Sequence, residues 1–239
     1  MKKVILSLLV AMFFSATVAV ASQEQTQTSY AYMTDFRVGS PMVGAIAGGN
    51  IEIEAEAIHV PNASNSIGVR HEPVEDMPFI GRLRTRVFPS DNYFIGAGVM
   101  APVEFEGYEY GFVAAELGAM ANLTPNITLG ARTYYAYSDI EGDVTAANDE
   151  LAIQQAGIDA NLGVSLFPIH ASLGGGSGMF ESVLTAESGT EYELNDQTYN
   201  YITGAVSYNV SDRTRLSYSQ NFTNGGKFQH WTFNATQSF

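Results

Sequence analysis

Cysteine is absent from the 239 residues, tryptophan occurs once, and charged residues make up only 15% of the chain. Without cysteine there is no disulfide framework, no thiolate-ligated zinc, no cysteine nucleophile and no lipoprotein anchor. Positive charge is scarce as well: 11 Lys and Arg stand against 25 Asp and Glu, a formal net charge of −14. A phosphate backbone needs a basic face, so the composition argues against nucleic acid as a partner. Long apolar runs are missing too. After the N-terminal stretch, no segment approaches the ~18 consecutive apolar residues of a membrane helix. What the chain does have is 46% hydrophobic residues, 13 Tyr, 14 Phe and 23 Gly. That is enough for one domain with a sizeable interior.

The N-terminus reads as an address. Lys2 and Lys3 precede an apolar run over residues 4–14, and Ala19-Val20-Ala21 supplies a small-x-small cleavage site. These are the three parts of a secretory signal peptide, so cleavage is expected after Ala21, with residues 22–239 forming the exported domain.

The exported part is written in period two, the repeat of a β-strand with two unlike faces. Ile51, Ile53, Ala55 and Ala57 alternate with Glu52, Glu54 and Glu56. Leu83, Thr85 and Val87 alternate with Arg82, Arg84 and Arg86. Val113, Ala115 and Leu117 flank Glu116; Ala131 and Thr133 flank Arg132; Ile158 and Ala160 flank Asp159; Thr214 and Leu216 flank Arg215. Strands are predicted near residues 50–60, 79–88, 93–101, 108–123, 127–138, 151–166, 169–178, 197–210, 214–222 and 228–239. Two further alternating stretches, 30–38 (with Asp35 and Arg37 on the polar face) and 66–72 (with Arg70), would raise the total from ten to twelve. The expectation is ten to twelve strands, with twelve slightly favoured.

Two kinds of connection alternate along the chain. Tight ones hold Pro, Asn, Asp or Ser, at 89–92, 124–126, 167–170 and 211–213; longer acidic ones are expected over 102–109, 139–150 and 179–196. Short turns on one side and long loops on the other belong to a transmembrane antiparallel up-and-down β-barrel. Lipid offers no hydrogen-bond partners to a backbone, so a sheet that crosses it must close on itself. The competing fold is a secreted β-sandwich, whose outer face would use lysine freely. Here Lys227 is the one lysine beyond residue 3. The polar face instead carries Asp35, Arg37, Glu52, Glu54, Glu56, Arg70, Arg82, Arg84, Arg86, Glu116, Arg132, Asp159 and Arg215 in near balance. Buried charge must be paired, and the planar fork of arginine pairs well with carboxylates. These thirteen residues are therefore read as a charge network lining a closed lumen.

With its leader, its alternating strands and a last segment ending Trp231-Thr232-Phe233-Asn234-Ala235-Thr236-Gln237-Ser238-Phe239, the chain resembles Gram-negative outer-membrane β-barrel proteins. The resemblance implies residence in the bacterial outer membrane, contact with its lipid and lipopolysaccharide, and an assembly signal read by the barrel-insertion machinery at Trp231, Phe233, Ala235 and Phe239. Gln237 departs from the pattern, where an apolar residue is commoner. Residues 116–178 also resemble YfaZ-type barrels loosely.

Chemistry is sparse. The histidines His59, His71, His170 and His230 form no His-x-His or His-Glu-x-x-His pair, so no metal ligand set and no cofactor is expected. His170 and Ser172 share a strand face, the arrangement of a weak lipid-modifying enzyme candidate, since a nucleophilic serine needs a base beside it. The glycine run Gly174-Gly175-Gly176 and Gly178 lacks the lysine of a phosphate loop and is read as relief of crowding in a strand. Acids assigned to the outer loops would repel one another, draw cations to a pore mouth, or hold divalent cations. The expected function is a porin-like narrow channel or a structural membrane protein, not an enzyme. Adhesion through loops 139–150 and 179–196 and lipid modification at His170 and Ser172 are the alternatives.

Overall fold

The computed structural model describes residues 27–28, 30–32, 50–59, 80–105, 108–142, 144, 148–223 and 228–239. Ten strands follow one another: β1 (Ile51–His59), β2 (Ile80–Ser90), β3 (Tyr93–Phe105), β4 (Tyr108–Thr124), β5 (Ile127–Gly142), β6 (Asp149–Leu166), β7 (Ile169–Thr185), β8 (Glu191–Asn209), β9 (Thr214–Thr223) and β10 (Phe228–Ser238). Each pairs antiparallel with its chain neighbours, and β1 pairs with β10, so the sheet is a closed up-and-down barrel. The seam runs in register from Glu52 opposite Ser238 to His59 opposite Trp231. It is sealed at the base by the Phe239 N–H donating to the Ile51 carbonyl at 2.9 Å.

The outer surface is apolar and the interior holds the charge. Leu83, Leu117, Ile158, Leu173 and Ile202 are each more than half exposed, whereas Arg84 is 1% exposed and Glu52 2%. A soluble sandwich would have the reverse arrangement. Tyr93, Phe167, Tyr208 and Phe239 are exposed near the end of the barrel that carries both β1's start and the C-terminus, as in the aromatic belt of a membrane interface.

Of the ten to twelve strands expected, the barrel has ten. Residues 30–32, assigned above to a strand, are helical together with 27 and 28. A closed barrel has no free edge to which another strand can add. The other supposed strand, 66–72, lies outside the described residues, as do Asp35, Arg37, Arg70 and the leader.

The long acidic loops are also corrected. β3 runs to Phe105 and β4 starts at Tyr108; β5 and β6 stop at Gly142 and Asp149; β7 and β8 stop at Thr185 and Glu191. The acids expected in loops at Glu109, Asp139, Glu141, Glu150, Glu181, Glu191 and Glu193 lie on strands. β4 to β8 are 16–19 residues long, against 9 to 11 for β9, β10, β1 and β2. Only ~9–11 residues are needed to cross the hydrocarbon. The five long strands therefore rise above it, where outward residues meet water. The period of two continues there with inverted polarity: Asp139, Glu141 and Glu150 point outward or are half-buried while Ile140, Leu151 and Ile153 are buried.

The glycine run has the structural role expected of it. A side-chain carbon at Gly176 would stand 2.7 Å from the Tyr201 hydroxyl, and one at Gly178 would stand 2.7 Å from the Tyr199 ring. Glycine there leaves room for the large rings on the lumen side of β5 and β8.

Candidate functional site

The lumen divides into three zones. The first is ionic. Strand register sets Glu52, Glu54 and Glu56 of β1 opposite Arg86, Arg84 and Arg82 of β2. The side chains then link onward around the barrel. Arg82 donates to Glu56 at 3.0 Å, and Arg84 donates to Glu56 at 2.7 Å and to Glu116 of β4 at 3.0 Å. Arg86 donates to Glu116 at 2.8 Å and Arg132 of β5 donates to it at 3.1 Å. Arg132 also holds Asp159 of β6 at 2.6 Å. On the other side Arg215 of β9 pairs with Glu52 at 3.6 Å, and Thr236 of β10 donates to Glu54 at 3.0 Å. Ten of the thirteen residues read as a lumen network are thus brought into one belt, five arginines and five carboxylates, all buried. Equal numbers are what a desolvated interior requires. Arg82 and Arg86 also lie over the rings of Phe112 and Phe94, at 4.9 and 5.1 Å from their centroids.

The second zone, toward the tall rim, is apolar. Tyr110, Phe112, Tyr134, Ile140, Leu151, Ile153, Phe180, Leu184 and Tyr199 form one buried cluster that reaches across to Ile58 of β1. The helical residues 30–32 sit within it: Tyr30 is 1% exposed and Ala31 0%. The Gln155 side-chain amide donates to the Ala31 carbonyl, and Ser182 Oγ donates to Gln27 Oε1 at 2.7 Å. Tyr32 packs on Phe180 and Tyr199, with ring centroids 6.1 and 5.4 Å apart.

The third zone is a wall of small, uncharged polar residues on β8, β9 and β10. Ser207, Ser217, Ser219, Thr232 and Ser238 are all buried, and their hydroxyls make no hydrogen bond to the protein. Strand register makes them neighbours, with Ser217 beside Ser207 and Ser219 beside Thr232. Buried polar groups in folded proteins nearly always have partners, and a polar cavity supplies them as water.

Neither the aromatic cluster nor the helical residues were picked out from sequence. The hydroxyl wall was legible in principle, because Arg215, Ser217, Ser219, Asn221 and Thr223 occupy every second position of β9.

The enzyme candidate is rearranged. His170 Nδ1 is bonded to Ser165 Oγ at 2.8 Å across the β6–β7 hairpin, not to Ser172. Among the described residues no group of three or more His, Asp or Glu is placed to hold a metal ion. At the rim, register aligns Glu109, Glu141 and Glu150 across β4, β5 and β6. Asp139 lies beside them. Burial, then Glu150, Glu141 and Glu109, push its carboxyl above the usual aspartate range.

The four residues of the expected assembly signal share the lipid-facing side of β10, where Trp231, Phe233 and Phe239 are exposed. Gln237, the departure from that pattern, has its own role: it accepts a hydrogen bond from Thr214 at 2.9 Å.

No family model and no curated protein matches the chain. Solved structures similar to it include the Acinetobacter baumannii outer membrane protein Omp33, at 8% identity and a TM-score of 0.37, covering 82% of this chain and 100% of that one. The Escherichia coli outer membrane protease OmpT is similar at 8% identity and a TM-score of 0.44, with 80% and 94% covered. The beta domain of the Bordetella autotransporter BrkA is similar at 9% identity and a TM-score of 0.45, with 80% and 98% covered. These likenesses add nothing to the barrel architecture that the strand pairing itself establishes.

Proposed function

We propose that the protein is a narrow porin-like channel of the bacterial outer membrane, with its water path running along the β8–β10 wall. One observation carries this reading: the unpartnered hydroxyls of Ser207, Ser217, Ser219, Thr232 and Ser238 lie in a barrel whose opposite side is sealed by ion pairs. Ten strands fall between the eight that side chains fill and the sixteen or more that leave an open pore, so a path confined to one wall suits the size. The exposed rim acids Glu109, Glu141, Glu150, Glu181 and Glu191 would concentrate cations at the mouth. Outer-membrane lipid and lipopolysaccharide would surround the apolar band, and the insertion machinery would read Trp231, Phe233, Ala235 and Phe239. In this reading the protein is not an enzyme, and the Ser165–His170 contact pins a hairpin.

The test is single-channel recording on the refolded protein in a planar bilayer under a salt gradient. Discrete openings with a cation-selective reversal potential are expected. Permanent silence, with residues 22–32 present or deleted, would overturn the channel; anion selectivity would overturn the role given to the rim.

A further inference from the structure

We propose that the outer face of β5 to β7 carries a site for one membrane lipid with a zwitterionic, amine-bearing headgroup. The site lies on the outside of the barrel, so it stands whether or not the lumen conducts. A cavity of about 150 Å³ is found there, and its lining includes Tyr135, Gln154, Ala156, Met179 and Glu181. Strand register builds it. Tyr135, Ala156 and Met179 stand side by side on one rung of the sheet, and Tyr137, Gln154 and Glu181 on the next outward rung toward the tall rim. Alanine between a tyrosine and a methionine leaves a dent, because its side chain is a single carbon.

Depth names the occupant. Counted from the end of the barrel opposite the tall rim, Tyr135 is the ninth residue of β5, Ala156 the eleventh of β6 and Met179 the eleventh of β7. About 9–11 residues cross the hydrocarbon, so the dent lies where acyl chains give way to headgroups. Ile158, one outward position below Ala156, is 63% exposed, whereas Gln154 and Glu181 stand above it. The site is apolar below and polar above, as a lipid is at that depth.

Charge selects the headgroup. Glu181 is exposed beside the cavity, and Asp139, Glu141 and Glu150 continue the outward face of β5 and β6 toward the rim. Arg132, the one Lys or Arg in β5 to β7, is buried in the lumen. An anionic headgroup would meet carboxyl groups and no outward cation; an ammonium would meet its counter-charge. The Tyr135 hydroxyl donates to Gln154 Oε1 at 3.0 Å, which leaves the amide N–H groups of Gln154 to donate to a lipid oxygen. Gln154 and Glu181 are directly paired across β6 and β7, with side chains starting about 5 Å apart. One phosphoethanolamine group can therefore place its ammonium on Glu181 and a phosphate oxygen on Gln154, with an acyl chain in the dent over Ala156.

The test is native mass spectrometry of the refolded full chain, released from detergent that holds equal amounts of phosphatidylethanolamine and phosphatidylglycerol with the same acyl chains. One retained phosphatidylethanolamine is expected, at about fivefold preference over phosphatidylglycerol, the scale of one exposed ion pair. Ala156→Trp, which fills the dent, should abolish the retained lipid, and Glu181→Lys should invert the preference. Heat-dependent gel migration checks that both variants fold. A lipid count unchanged in Ala156→Trp would overturn the site. Equal retention of the two lipids by the unaltered protein, or a preference that Glu181→Lys leaves as it was, would overturn the headgroup assignment. So would displacement of the phosphatidylethanolamine by an equal concentration of purified lipopolysaccharide.

Discussion

The two sides of the lumen solve the problem of buried polarity in opposite ways. From β1 through β6, the charged groups of the belt are joined by ion pairs, with Glu116 receiving Arg84, Arg86 and Arg132 at once. From β8 through β10, the inward face also carries a run of small neutral side chains, and the hydroxyls of Ser207, Ser217, Ser219, Thr232 and Ser238 make no hydrogen bond to the protein. The first wall is tied together by ion pairs. In a barrel of uniform architecture, the two walls therefore differ by the choice of side chain at every second residue.

The largest effect expected is on the sealed side. Arg84→Ala leaves Glu56 and Glu116 short of a partner inside the barrel and should cost about 3–5 kcal/mol of unfolding free energy in detergent. An unchanged denaturant midpoint would mean that this belt is wet, erasing the contrast between the walls. Arg82→Ala, which loses one partner, should cost less than Arg84→Ala, which loses two.

On the other wall the two explanations of the orphan hydroxyls separate. With water beside them, Ser217→Val with Ser219→Val should cut conductance by more than half and leave stability nearly unchanged. If the wall is dry, removing each unsatisfied hydroxyl should instead stabilise by about 1–3 kcal/mol. Paired measurement of conductance and unfolding midpoint decides between these outcomes.

The smallest effect concerns the rim. Asp139 is held above its ordinary pKa by burial and by Glu150, Glu141 and Glu109. Its ionised form therefore works against folding at neutral pH, and the strain is relieved as pH falls through the raised value. Asp139→Asn should raise the unfolding midpoint slightly at pH 7 and flatten its rise on mild acidification. If the variant keeps the full pH dependence, the glutamates carry it alone.

Much of this was readable one strand at a time. All ten strands appear at their expected positions, because a barrel strand writes its two environments directly into alternate residues. Glu52, Arg84 and Glu116 face inward for the same reason. Three features escaped. The strands' extension past the membrane was read as loop, because the alternation at residues 139–142 and 149–153 continues with its polarity reversed once the outward face meets water. Tyr30 and Tyr32 looked like one more strand, because a stretch that short alternates equally well by chance. The joint between Arg84 and Glu116 could not be seen, because it needs β2 and β4 to face one interior.

Period-two patterning determined by itself that this chain is a sheet with an apolar outside and a balanced, arginine-rich inside, since each residue's side of the sheet follows from its parity. Closure was decided only in three dimensions. Once β1 meets β10 no edge is left, so an N-terminal segment that might have paired as a strand is helical inside the barrel. Which charges share a carboxylate, and which hydroxyls find no partner in the protein, likewise depends on distances across the lumen, which no single strand encodes.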